Sequence, residues 1–227
     1  MADTRHGDRG ERMIPVKLMD SIKYTVESVR GSIKGRSADV SKDYYNTRVV
    51  AALSVMAGHG GTIEIGSYFG VSAIVASLAK WSEGITGSVY CVDPLDGREQ
   101  CIKNQAQAFT DSFDLHSGCH WTAGTFLKNV SNFYNADVVL VQKPSQPFPE
   151  ELAGMTFTVA FIDGDHWHGT PTLDWMSLKD IVTHYIAFDD TDKAHPHVMA
   201  AVEIASEDKR WKKIIAEGSI TVFERIP

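Results

Sequence analysis

Cysteine is scarce. Cys91, Cys101 and Cys119 are the only three in 227 residues, and none stands in a C-x-x-C spacing. An odd, unpaired set indicates neither a disulfide framework nor a zinc–thiolate cluster, so reduced thiols in a cytoplasmic protein are the expectation. Long apolar runs are missing too, and none approaches the about 18 residues that a bilayer span requires. A basic excess is missing: 22 Lys and Arg stand against 29 Asp and Glu, a formal charge of −7. That balance argues against an extended phosphate-tracking surface and against nucleic acid as partner. The opening "MADTRHGDRGERM" has no apolar centre and does not read as a signal peptide. Also absent are G-x-G-x-x-G and a Tyr-x-x-x-Lys pair, which disfavours a nicotinamide-dependent reductase.

What is present is an ordinary globular composition, 43% hydrophobic, in a chain long enough for one α/β domain. Residues 1–12 read as a flexible terminus, 13–58 as a helical cap and 59–227 as the core of a single domain. Val16, Met19, Ile22, Val26 and Val29 recur at spacings of three and four, a helical stripe; a second helix runs from about Tyr44 to Met56 and stops at "AGHGG". From there seven strands are legible: "GTIEIGS", "GSVYCVDP", "DVVLVQ", "FTVAFID", "YIAFDD", "WKKIIAEG" and "ITVFERI". Helices are expected at "GVSAIVASLAKWS", over Gln100–Ser112, around Phe126, Leu127, Val130, Phe133 and Tyr134, at "TPTLDWMSLKDIV" and at "HVMAAVEIASED". This alternation predicts an α/β fold with a doubly wound, mostly parallel sheet and helices on both faces.

Sheets of that kind bind ligands beyond the carboxyl ends of their strands. Glu64, Asp93, Asp163, Asp189 and Asp190 all stand at such ends, and folding alone has no need of five acids there. In "EIGSYFG", Glu64, Gly66 and Gly70 form a glycine-bearing turn that brings backbone close to a ligand or simply packs strand against helix. Asp93 at the next strand end suits the two hydroxyls of a ribose, or else shapes the turn before Pro94.

"TIEIGSYFG" followed by "VYCVDP" resembles the first two motifs of class I S-adenosylmethionine-dependent methyltransferases. "FIDGDH", "IAFDD" and "HPHVMAAVE" resemble the branch that groups small-molecule O-methyltransferases with cephalosporin-hydroxylase-type proteins. The resemblance spans roughly Thr62 to Val202 and implies a Rossmann-like core. It implies that Glu64, Gly66 and Ser67 meet the methionine part of the cofactor, with Tyr68 and Gly70 in the same turn. Asp93 would hold the ribose and Ser145 lie near the adenine. The branch also includes proteins with other chemistry, so a hydroxylase-like or non-catalytic S-adenosylmethionine-binding protein is the alternative.

Metal-dependent catechol-type members are similar in one further respect: they take one Asp from the fourth strand end and an acidic pair from the fifth. Asp163, Asp189 and Asp190 match those positions, which implies Mg²⁺, or Ca²⁺ or Mn²⁺, on hard oxygen ligands. Asp165 is a replacement for Asp163, which also borders the cofactor. The other reading of these acids is that Asp163 orders the Gly164 turn and Asp190 caps a helix. His166 stands where catechol-type enzymes carry a lysine base, so His166 and Asp163 are the catalytic candidates; His168, His195 and His197 are rivals. Trp167, Trp175 and Phe148 read as packing or pocket wall. A small-molecule hydroxyl acceptor and a homodimer are the expected partners.

Overall fold

The computed structural model describes residues 14–33, 40–96 and 122–227. The terminus 1–12, the helix expected over 100–112, Cys101 and Cys119 lie outside the described residues. Seven strands form one sheet: β1 (Gly61–Ile65), β2 (Val89–Val92), β3 (Val138–Val141), β4 (Phe157–Ile162), β5 (Val182–Phe188), β6 (Trp211–Glu217) and β7 (Ile220–Arg225). Their order is β3-β2-β1-β4-β5-β7-β6. The first five run parallel, and β7 is antiparallel to both β5 and β6. The expected doubly wound, mostly parallel seven-stranded architecture is what the chain adopts.

Central β4 carries "FTVAFI" with every residue buried, the continuous apolar run that a parallel strand covered on both faces demands. On one face lie α1 (Val16–Ser32), α2 (Val40–Met56) and α3 (Val71–Ser82). Ile22, Val26 and Val29 of the predicted stripe pack with Ile74 and Val75 of α3, while Val49, Val50 and Leu53 of α2 reach Val159 and Phe161 of β4. Val16, at the start of that stripe, is exposed. On the other face α5 (Thr170–Leu178) and α6 (Pro196–Glu207) cover Ile162, Ile186 and Phe188 through Trp175, Leu178, Val198 and Val202. Among the described residues no helix is long and apolar enough to cross a membrane.

Several boundaries differ from the sequence expectation: α2 begins at Val40 rather than about Tyr44, and α5 ends at Leu178, short of the expected Val182. The helix around Phe126 is α4 (Ala123–Ser131), which stops before Phe133 and leaves Tyr134 fully exposed. Its start is capped by Thr122, whose hydroxyl accepts the Thr125 N–H at 3.2 Å. Its end tightens into bonds over three residues, Asn132 N–H to Asn129 O and Phe133 N–H to Val130 O. An apolar side chain at helical spacing carries no record of that tightening. Strand β5 also begins earlier than "YIAFDD", at Val182.

The ends of β1 and β4 meet at Gly66. Its φ is +81°, and a Cβ there would stand 2.2 Å from the Asp163 carbonyl oxygen. Both conformation and space therefore require glycine. Gly66→Ala is expected to lose more than about 2 kcal/mol of stability, since backbone on both sides must shift. Gly124→Ala, in helix α4 with its nearest neighbour 3.7 Å away, is the control and is expected to stay near wild type. Urea denaturation of the two variants makes the comparison.

Candidate active site

Among the described residues, four non-glycine positions have positive φ: Tyr68 at 47°, Leu95 at 48°, His168 at 54° and Asp190 at 51°. Each follows the carboxyl end of a parallel strand, β1, β2, β4 and β5 in turn. Backbone strain of this kind persists only where surrounding contacts enforce it, and it concentrates at functional sites. The strained positions mark the crevice that the topology predicts.

On the β1–β2 side, Asp93 is buried and accepts backbone N–H groups from Ser67 at 2.8 Å and Tyr68 at 2.9 Å on Oδ2, and from Leu95 at 2.8 Å on Oδ1. The turn-forming reading of Asp93 is thus realised, and it extends across two loops. A carboxylate offers about four lone-pair positions, so three bonds still leave room for a ligand hydroxyl. Glu64 is buried on β1, where the Ser72 hydroxyl donates to it and the Cys91 thiol lies 3.6 Å away. Burial pushes its carboxyl up to about 7, against the opposing pull of the Ser72, Ser67 and Cys91 hydrogen bonds. Gly70, with φ +82°, precedes α3 and lies against Phe126.

After β3, Ser145 sits half-buried beside Asp174, whose carboxyl is raised by burial and lowered by hydrogen bonds from Gln146 and then Ser145. Gln146 Nε2 donates to Asp174 at 2.9 Å. Of the aromatics, Trp175 packs among Phe188, Trp211 and Phe223 in the core, Phe148 packs against the same cluster, and Trp167 is exposed with its ring 6.4 Å from His197.

The β4–β5 side holds the acids and histidines. His166 Nε2 lies 3.6 Å from Asp163 Oδ1, and His166 Nδ1 lies 3.4 Å from Asp190 Oδ2. His195 Nε2 approaches that same Asp190 oxygen at 3.8 Å, and its Nδ1 stands 3.0 Å from Asp192 Oδ1. Asp189 is directed elsewhere. Its Oδ1 accepts from Asn46 Nδ2 on α2, from the backbone N–H of Asp190 at 2.7 Å and, more weakly, from Ser219 Oγ at 3.5 Å. Asp165 accepts from Trp167 N–H and Thr170 Oγ1 at the start of α5, both at 3.1 Å.

The three aspartates expected to share a cation are therefore not the set that the fold gathers. Among the described residues, the one group of three or more potential ligands brought together is His166, Asp190 and His195, with ligand atoms all within 4.8 Å of one another. Two imidazoles with one carboxylate are a donor set for a transition metal rather than for magnesium, which takes near-ideal octahedral oxygen ligation. Sequence reasoning missed Asn46 and Asp192. Asn46 lies 143 positions from its partner and leaves no local signal.

Known proteins share this fold. The family model described as "Methyltransferase domain" matches residues 63–191, more than half of the chain, and the chain belongs to that family. It is with that family a class I S-adenosylmethionine-dependent methyltransferase, the class its motifs resemble. Among solved structures, cofactor-bound Rv0187 from MTB is similar at TM-score 0.60 and 15% identity, with 91% of this chain and 90% of that chain covered. A putative O-methyltransferase from Klebsiella pneumoniae is similar at TM-score 0.57 and 15% identity, covering 95% and 93%. An O-methyltransferase from Bacillus cereus in complex with SAH is similar at TM-score 0.57 and 12% identity, covering 95% and 94%. No match was found among curated protein sequences.

The buried Glu64 carries a signature in stability. Its folded pKa of about 7 exceeds the ordinary 4.5, so the folded state binds the extra proton between those values. That contribution is full below pH 4.5 and is lost as pH rises through about 7. Two and a half units correspond to about 3 kcal/mol. Glu64→Gln is therefore expected to remove most of the stability decline between pH 5 and pH 8, read from urea midpoints at both pH values.

Proposed function

We propose that this protein transfers the methyl group of S-adenosylmethionine to a hydroxyl oxygen of a small molecule, a phenol, diol or sugar. The observation that carries this reading is the division of one strained crevice into two chemistries. A backbone-lined acidic pocket lies over β1 and β2, and an imidazole–carboxylate cluster lies over β4 and β5. The similar structures named as O-methyltransferases support oxygen as the accepting atom.

In this reading Glu64 holds the cationic amino group of the methionine part, and the Gly66–Ser67–Tyr68–Gly70 turn lets backbone approach the cofactor. Asp93 keeps that turn in place and takes the ribose hydroxyls; Ser145 lies at the adenine end. The transfer is a direct displacement: the acceptor oxygen forms its bond to the methyl carbon as the carbon–sulfur bond breaks and sulfur keeps the electron pair. The protein's work is positioning, exclusion of water and removal of the hydroxyl proton. Asp163, at the end of β4 beside His166, draws off that proton.

Calorimetry with S-adenosylmethionine in the presence of EDTA is the test, with one cofactor bound per chain expected; no binding would remove the reading. Because an ammonium group beside Glu64 favours the carboxylate, affinity is expected to rise between pH 6 and pH 8 and binding to release a proton. Comparison of two buffers with different ionisation enthalpies detects that release. Once an acceptor is found, His166→Ala is expected to lower turnover by about 100-fold or more with cofactor affinity unchanged.

A further inference from the structure

We infer that His166, Asp190 and His195 form a binding site for a first-row transition-metal ion such as Zn²⁺, distinct in ligands and in metal preference from an all-carboxylate magnesium site. The inference rests on the reading of the β4–β5 side as the acceptor side of a methyltransferase crevice.

The spacing comes first. Three atoms, His166 Nδ1, His195 Nε2 and Asp190 Oδ2, converge, with the imidazole nitrogens 3.4 and 3.8 Å from the shared oxygen. Those distances are too long for N–H···O bonds, which cluster near about 2.9 Å. They suit ligands of one ion: atoms about 2.0–2.1 Å from zinc in tetrahedral array stand roughly 3.3 Å apart.

Proton placement points the same way. His195 Nδ1 is 3.0 Å from Asp192 Oδ1, a contact that makes sense only with the proton on Nδ1. In the neutral ring Nε2 then presents its lone pair to Asp190. His166 Nε2 is buried, has no hydrogen-bond partner and faces Asp163 Oδ1 at 3.6 Å. Its Nδ1 faces Asp190 Oδ2. Two imidazole nitrogens and a carboxylate oxygen converging on one point make a donor set for a cation.

His195 is also backed on its far nitrogen by the Asp192 carboxylate at hydrogen-bond distance, 3.0 Å. That is the outer arrangement by which metal-ligating histidines are held in tautomer and orientation. Two imidazoles and one carboxylate select zinc, iron, nickel or cobalt over magnesium or calcium. The side chains of His166, His195 and Asp190 are 20%, 25% and 34% exposed, so three protein ligands leave positions open toward the crevice for an acceptor oxygen. Asp192 and His195 lie beyond residues 63–191, so the family match does not itself bring half of this arrangement.

The test uses the untagged full chain, stripped with EDTA and dialysed. Co²⁺ is titrated and followed by visible d–d absorption; Zn²⁺ and Mg²⁺ are then added as competitors, and bound metal is measured by elemental analysis. The expected result is one Co²⁺ per chain, displaced by equimolar Zn²⁺ and retained in a hundredfold excess of Mg²⁺. His166→Ala and His195→Ala are expected to weaken Co²⁺ binding by more than about 100-fold, and Asp192→Asn by about 10- to 100-fold. The site is overturned if Mg²⁺ displaces Co²⁺, if both histidine variants bind Co²⁺ as the wild type does, or if no Co²⁺ binds. S-adenosylmethionine affinity, measured on the same variants, separates the two readings. Retained cofactor binding without Co²⁺ binding sinks the metal site alone, and lost cofactor binding in the wild type sinks the methyltransferase reading.

Discussion

The crevice depends on how closely the ends of β1 and β4 approach one another. Gly66 N–H donates to Val92 O, Asp163 N–H donates to Ile65 O, and the Gly66 Cα lies against the Asp163–Gly164 backbone with no room for a methyl group. This seam puts the loop that would hold a cofactor beside the loop that carries Asp163 and His166. A side chain at Gly66 would wedge apart the two halves between which a methyl group must pass. Short distances between donor and acceptor are the substance of displacement catalysis, so a packing constraint here is also a chemical one.

Around that seam the fold uses acidic side chains as fasteners. Asp93 ties the loop after β2 to the turn after β1 through three backbone N–H groups, and Asp165 holds the start of α5. Asp189 joins the end of β5 to Asn46 of α2, so the N-terminal helices are linked to the crevice by a buried polar contact as well as by apolar packing. Acidic strand ends are thus of two sorts. Some satisfy loop amides that would otherwise be stranded without water, and some remain directed at the open crevice.

The cluster over β4 and β5 belongs to the second sort. Asp190 sits in a left-handed backbone conformation between the committed Asp189 and a tight loop, in which Asp192 N–H donates to Asp190 O and His195 N–H to Asp192 O. That loop turns Asp190 and His195 back toward His166 just as α6 begins. The two histidine rings lie 5.1 Å apart, edge to face. Strain in the backbone and charge in the side chains are therefore concentrated at the same few residues.

Much of the fold was legible in the sequence because it follows from local periodicity. Apolar runs of strand length alternate with helical stripes, and that alternation implies a parallel sheet with a crevice at its carboxyl edge. The glycine turn and the acids at strand ends were equally plain, since each is a residue type at a position that backbone geometry singles out. The end of α4 was not, because three-residue bonds at a helix terminus leave no mark on side-chain spacing. Nor was the sharing of labour among the acids. Asp163, Asp189 and Asp190 look alike in the chain, and only the arrival of Asn46 from α2 commits Asp189 to structure. Only the loop after β5 brings His195 to His166 and Asp190. By itself, the sequence determined which chemistries stand at the edge of the sheet. The tertiary structure alone decided which carboxylates hold the scaffold and which face the crevice, because that choice rests on contacts between residues distant along the chain and on the direction in which one strained turn points.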